Sequence, residues 1–116
     1  MNKIIYNLNT YQLIEIDFSQ ILVVGQENAI NIDLYFKNGD VFKVDTDWQV
    51  WLTFERPDGE STNITLATLN NDHYSKKIGT WFTAVDGIGK IFTIIKVNGE
   101  TIAPFAVAKV QIFEDN

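Results

Sequence analysis

The chain has 116 residues, 46% of them hydrophobic and 21% charged, which fits one globular domain and excludes the disordered and low-complexity classes. Cysteine is absent, so disulfide frameworks, zinc fingers, iron–sulfur sites and thiol nucleophiles are excluded with it. Nine basic residues against fifteen acidic ones leave a net charge of −6, and without a local basic patch such a surface repels nucleic-acid phosphate.

The opening residues, Met1-Asn2-Lys3-Ile4-Ile5-Tyr6-Asn7, lack the apolar run of about 7–15 residues that an export signal needs. Ile14, Ile16 and Phe18 then alternate with Glu15 and Asp17, the period of a half-buried strand. The longest apolar run, Ile21-Leu22-Val23-Val24, falls far short of the roughly 20 residues of a membrane span. The expectation is a chain made in the cytoplasm, with no membrane contact.

From Asn28 to Phe36 the alternation places Ile30, Ile32, Leu34 and Phe36 on one face, with Asn31, Asp33 and Tyr35 on the other. Lys37-Asn38-Gly39-Asp40 follows, its Asn-Gly pair suited to a type I′ hairpin turn. Between Trp48 and Glu55, Trp48, Val50, Leu52 and Phe54 alternate with Gln49, Trp51, Thr53 and Glu55. Pro57-Asp58-Gly59 closes that strand, and a weaker alternation at Ile64, Leu66 and Thr68 comes after it.

The polar stretch Leu69–Lys77 reads as a loop or one short helical turn. After Gly79 come Thr80 to Val85, then Asp86-Gly87-Ile88-Gly89 as a glycine-bearing turn. Lys90 to Val97 is a strand apolar on both faces, with Ile91, Ile95 and Val97 on one and Phe92 and Ile94 on the other. Asn98-Gly99 is the strongest hairpin signal in the chain. A last strand, Ala106 to Phe113, alternates Ala108, Val110 and Ile112 with Lys109 and Gln111. About seven to nine short strands at this spacing predict an all-β sandwich, with residues 1–116 as a single domain.

A search for chemistry by residue type comes back empty. A Ser–His–acid triad would have to run through His73, the only histidine, with Ser19, Ser61 or Ser75, and no nucleophile elbow surrounds any of these serines. The pairs Glu15 with Asp17 and Asp45 with Asp47 lack the apolar pocket that would drive two carboxylate pKa values apart. Asp40, Asp45, Asp47 and Asp58 could offer oxygen ligands to calcium, but they lack the EF-hand continuation and suit turns instead. Asp86-Gly87-Ile88-Gly89-Lys90 lacks the spacing of a phosphate loop. Asn63-Ile64-Thr65 is a glycosylation sequon with no secretion signal to give it meaning. No catalytic residue, metal or cofactor is expected.

The aromatics say more. Trp48 should pack inward with Val50, Leu52 and Phe54, which points Trp51 the other way. Tyr35 lies on the corresponding face of its own strand, and Phe92 with Ile94 breaks the alternation of a third. Tyr35, Trp51, Phe92 and Ile94 therefore form the expected outer apolar patch, packing on another chain or on a sugar ring.

In order, these features resemble a family. Glu27-Asn28-Ala29-Ile30, Asn38-Gly39, the strand Trp48–Phe54 and Pro57-Asp58-Gly59 look like the N-terminal domain of bacteriophage baseplate upper proteins. Gly79-Thr80-Trp81-Phe82 and Gly89-Lys90-Ile91-Phe92 stand where that domain has a Gly-led and a Gly-Lys-led strand. Asn98-Gly99 and Ala103-Pro104-Phe105 resemble its final hairpin. The likeness runs from about residue 10 to 113, although family members usually continue into helical and receptor-facing parts, and the segment before Gly89 is shorter here.

The resemblance implies an immunoglobulin-like antiparallel β-sandwich that serves as a non-enzymatic structural or adaptor domain of a phage tail or baseplate. It implies a virion location, with other tail or baseplate proteins, or further copies of the chain, as partners. The competing reading is a carbohydrate-binding module, with Trp51 and Tyr35 stacking on a host surface polysaccharide.

Overall fold

The computed structural model describes residues 2–18, 21–25 and 30–114. Ser19, and the Glu27-Asn28-Ala29 part of the resemblance, lie outside them. Twelve strands run in chain order: β1 (Asn2–Asn7), β2 (Leu13–Phe18), β3 (Leu22–Val23), β4 (Ile30–Asn38), β5 (Val41–Phe42), β6 (Trp48–Glu55), β7 (Thr65–Leu66), β8 (Thr68–Asn70), β9 (His73–Ile78), β10 (Gly87–Val97), β11 (Glu100–Pro104) and β12 (Ala108–Phe113). Eight of them have five residues or more; the other four are short edge pieces.

The first sheet is ordered β2-β1-β4-β9-β8, with β5 on the end of β4, and the second β3-β12-β10-β6-β7, with β11 on β10. They pack face to face as a sandwich. The pairing is mixed where the sequence implied a purely antiparallel one, because β1 runs parallel to β4 and β3 runs parallel to β12. Parallel partners are joined through the other sheet and not by a hairpin, so no local turn signal announces them.

Period-two alternation fills the space between the sheets. Ile4 and Tyr6 from β1, with Ile30, Ile32, Leu34 and Phe36 from β4, meet Val50, Leu52 and Phe54 from β6, Ile91 and Ile95 from β10, and Ala108, Val110 and Ile112 from β12. A core of this size stabilises the sandwich without disulfides. Inside it, the Tyr6 ring stacks on Phe36 at 5.6 Å, and its hydroxyl shares a hydrogen bond of 2.8 Å with Thr93 Oγ1 of the opposite sheet. Burial pushes the Tyr6 phenol up to about 12, outweighing the Thr93 hydrogen bond, which pulls the other way.

Several expectations are corrected by this packing. The polar stretch 69–77 is not a loop: β8 and β9 form a hairpin around Asn71-Asp72, with Asn71 at φ 59°. Tyr74, with Ile78 just beyond the stretch, supplies its buried face, so two inward residues outweigh seven polar ones. Residues 79–84 do not form a Gly-led strand. Phe82, Thr83 and Ala84 donate backbone hydrogen bonds to Gly79, Thr80 and Trp81, a run of tight turns that drives Phe82 into the core. Gly87–Gly89 opens β10 and is no turn; a Cβ at Gly89 would stand 2.6 Å from Phe82 Cζ, so this glycine is needed for close approach.

In β2 the register shifts opposite Ile5/Tyr6 and brings Leu13 to the inner face, which leaves Ile14 49% exposed. Of the two Asn-Gly turns, Asn98-Gly99 has positive φ at both residues, as a type I′ hairpin requires, whereas at Asn38-Gly39 only Gly39 does.

Candidate interaction surface

The cross-strand register of the second sheet decides what its outer face offers. Leu66 stands opposite Trp51, Trp51 opposite Ile94, and Ile94 opposite Pro104. One apolar row thus crosses β7, β6, β10 and β11. Phe92 lies beside the row, opposite Thr53, and is 37% exposed. Leu66 and Pro104 are exposed, while Trp51 and Ile94 are half-buried by their neighbours.

Charge borders this row. Lys96 reaches over the Trp51 ring, 5.9 Å from its centroid, and Lys90 pairs with Glu55 at 3.6 Å. Lys109 sits directly opposite Lys90, a like-charge juxtaposition that costs the isolated sheet some stability. The Trp51 indole N–H is buried with no acceptor among the described residues, although native folds pair nearly all such groups.

Tyr35 is the exception among the four expected patch residues. It does point away from the core, but from β4, in the other sheet, and it is only 8% exposed. Phe42 covers it with ring centroids 4.9 Å apart, and His73 stacks on it at 4.8 Å. Trp51, Phe92 and Ile94 share one outer face and Tyr35 lies under the other, so Tyr35 and Trp51 cannot grip one sugar ring together. Alternation along a strand reveals a side chain's face but not which sheet that strand joins.

Around Tyr35 the first sheet carries a polar cluster that the sequence did not reveal. His73 Nδ1 lies 2.9 Å from Asp72 Oδ1 and its Nε2 3.5 Å from Asp33 Oδ1, while Ser75 Oγ donates to Asp33 Oδ1 at 2.8 Å. Ser, His and Asp are together, but in the wrong order for nucleophilic catalysis. The carboxylate receives the serine proton, whereas a triad needs the imidazole there. The His73 hydrogen bond holds the Asp72 carboxyl below the ordinary range. Burial, with the Asp72 and Asp33 charges, pushes the Tyr35 phenol up. The only advance signal was the spacing of His73 and Ser75, which puts both on one face of a strand.

The turn aspartates are engaged locally. Asp45 Oδ1 accepts from the Asp47 backbone N–H at 2.8 Å, and Asp58 forms a two-pronged pair with Arg56. Among the described residues, no three His, Asp or Glu side chains converge as a metal site, and no helix is long and apolar enough to cross a membrane.

No protein-family model matches the chain, and no curated protein does. Among solved structures it is similar to the N-terminal domain of phage TP901-1 ORF48, with a TM-score of 0.58 over 99% of this chain and 98% of that one, at 9% sequence identity. The likeness is one of fold.

Proposed function

We propose that this chain is a non-enzymatic structural domain of a phage virion, placed in the tail or baseplate and acting as an adaptor through protein–protein contacts. The observation that carries the reading is the end-to-end fold likeness to a phage protein domain. It agrees with the order of turn signatures that resembles baseplate upper proteins. The contact face in this reading is the row Leu66–Trp51–Ile94–Pro104 with Phe92, an open apolar strip framed by charge, which is the anatomy of a protein interface. Other virion proteins or further copies of this chain are the partners.

Light scattering coupled to size exclusion, over a concentration series and with Trp51 variants, tests the reading. The intact chain should form a defined oligomer, alone or with its cognate tail proteins. Trp51→Ala should weaken that association at least about tenfold, the usual effect of truncating a central interface tryptophan, and leave the domain folded. Trp51→Phe should fold at least as stably as the parent, since it removes an unpaired buried donor and keeps a ring. Assembly that is indifferent to Trp51 would refute this choice of face, and a monomer that joins no tail protein would refute the adaptor role.

A further inference from the structure

A cleft lies at the end of the sandwich where β6 and β9 finish. It is half-open, with a volume of about 390 Å³ and a lining that includes Phe54, Thr62, Asn63, Lys76, Trp81 and Phe82, within the usual range of ligand pockets. It shares no residue with the Trp51 row.

Three properties of the lining constrain its occupant. First, the walls are apolar, and Trp81, at the rim, is 38% exposed. Arg56 stacks over the Trp81 ring at 4.7 Å and is itself tied to Asp58. That clamp steadies the indole, which stays partly exposed at the cleft. Second, the polar groups are neutral and available. Thr62 Oγ1 accepts from the Phe54 backbone N–H, which leaves its own proton to donate, and the Asn63 side chain makes no hydrogen bond among the described residues. Third, the charge is one-sided. The lining holds two lysines and no carboxylate in a chain with a net charge of −6. Neither Lys76 nor Lys77 has an ion-pair partner among the described residues, and Lys76 is half-buried.

We infer that this cleft binds one ring of an acidic saccharide, with the Trp81 indole against the C–H face of the ring, Thr62 and Asn63 on its hydroxyls, and Lys76, which shares the inward face of β9 with Tyr74 and Ile78, on its carboxylate. A flat aromatic face beside hydroxyl-bonding groups suits a pyranose, and Lys76, with no counterion among the described residues, selects the charged form of it.

The test is an NMR titration of the ¹⁵N-labelled full chain with glucuronate, with glucose and acetate as comparison ligands. Glucuronate should shift the Trp81 indole N–H and the backbone amides of residues 76–82 saturably, with a Kd on the order of 1 mM for a single ring. The Trp48 and Trp51 indoles should stay in place. Glucose should bind about fivefold more weakly, the worth of one modest charge contact. Lys76→Gln should erase that difference, Lys77→Gln on the outward face of β9 should leave it in place, and Trp81→Ala should abolish binding of both sugars. If Trp81→Ala does not fold, the contrast between Lys76→Gln and Lys77→Gln alone carries the test. Three results would each overturn the inference: no shift at Trp81, equal affinity for glucose and glucuronate, or acetate matching glucuronate. An acidic peptide that outcompetes glucuronate would assign the cleft to a protein segment and overturn it as well.

Discussion

The hydrogen bond between Tyr6 and Thr93 is a single polar link between the two sheets inside an apolar core, and its energetics can be worked out in advance. Tyr6→Phe keeps the ring against Phe36 and Phe105 but strands Thr93 Oγ1, in a residue only 1% exposed. Thr93→Val does the reverse and strands the phenol. Each single change should cost about 1–3 kcal/mol, the desolvation penalty of one unpaired buried group, whereas removing both partners should be nearly neutral. The double-mutant cycle should therefore show a coupling of at least about 2 kcal/mol, the sum of the two single costs, with the double variant more stable than either single.

A second arm comes from titration. The folded state holds the Tyr6 proton up to about 12, whereas the unfolded chain releases it near 10. The unfolded state then binds fewer protons, so stability falls as pH climbs through that window and is complete below it. At pH 11 the parent should have lost about 1.4 kcal/mol from this group, and the gap between parent and Tyr6→Phe should narrow by that amount between pH 8 and pH 11. Urea unfolding of the four proteins across that range reads both arms. Additive single-mutant costs, or a gap that ignores pH, would refute the reasoning.

Two further outcomes follow from local geometry. Gly89→Ala should destabilise the sandwich by about 1–3 kcal/mol, because its Cβ would stand 2.6 Å from Phe82 Cζ and 3.3 Å from Ile112 Cδ1. Gly79→Ala, with nothing within 4 Å of the added carbon, should stay within about 0.5 kcal/mol of the parent in the same urea assay. In an NMR pH titration the Asp72 carboxyl should have its midpoint below the ordinary value, held there by His73. His73→Ala should return it to that value; an unmoved midpoint would mean that the Asp72–His73 hydrogen bond is not what lowers it.

The sequence was legible where a strand has one buried and one open face. Trp48–Glu55 and Ala108–Phe113 alternate cleanly, and both appear in the structure with the expected faces. It was illegible where that condition fails. In β1, Ile4, Ile5 and Tyr6 are all buried, because Ile5 lies beside Tyr35 on the outer side of the sheet, so no period of two marks the strand. Along β9 the outward positions are taken by His73, Ser75 and Lys77, with only Tyr74 and Ile78 fully buried inside, and the polar residues mask them. Of the expected patch, Trp51, Phe92 and Ile94 come together because β6 and β10 pair in register, a contact between segments some forty residues apart. Tyr35 was grouped with them by face alone, and face carries no information about which sheet a strand enters.

The two outer faces of the sandwich end in different chemical states, and that difference bears on the assembly proposal. On the first sheet, Phe42 and His73 already cover Tyr35, while Asp33, Asp72, His73 and Ser75 satisfy one another, so a partner would gain little there. On the second sheet the apolar row is open, a buried indole N–H has no acceptor among the described residues, and Lys90 faces Lys109 with Glu55 as the ion-pair partner of one of them. Each is a modest cost to the lone domain, and an acidic partner surface would relieve the charge cost as it buries the row. A stable contact needs about 800 Å² from each side, more than four residues in a row supply, so the contact must extend over Lys90, Lys96 and Lys109. Association through this face should therefore weaken as salt rises, since the rim charges are exposed to screening while the Trp51 centre is not. Association that stays constant from low to high salt would place the contact elsewhere on the sandwich.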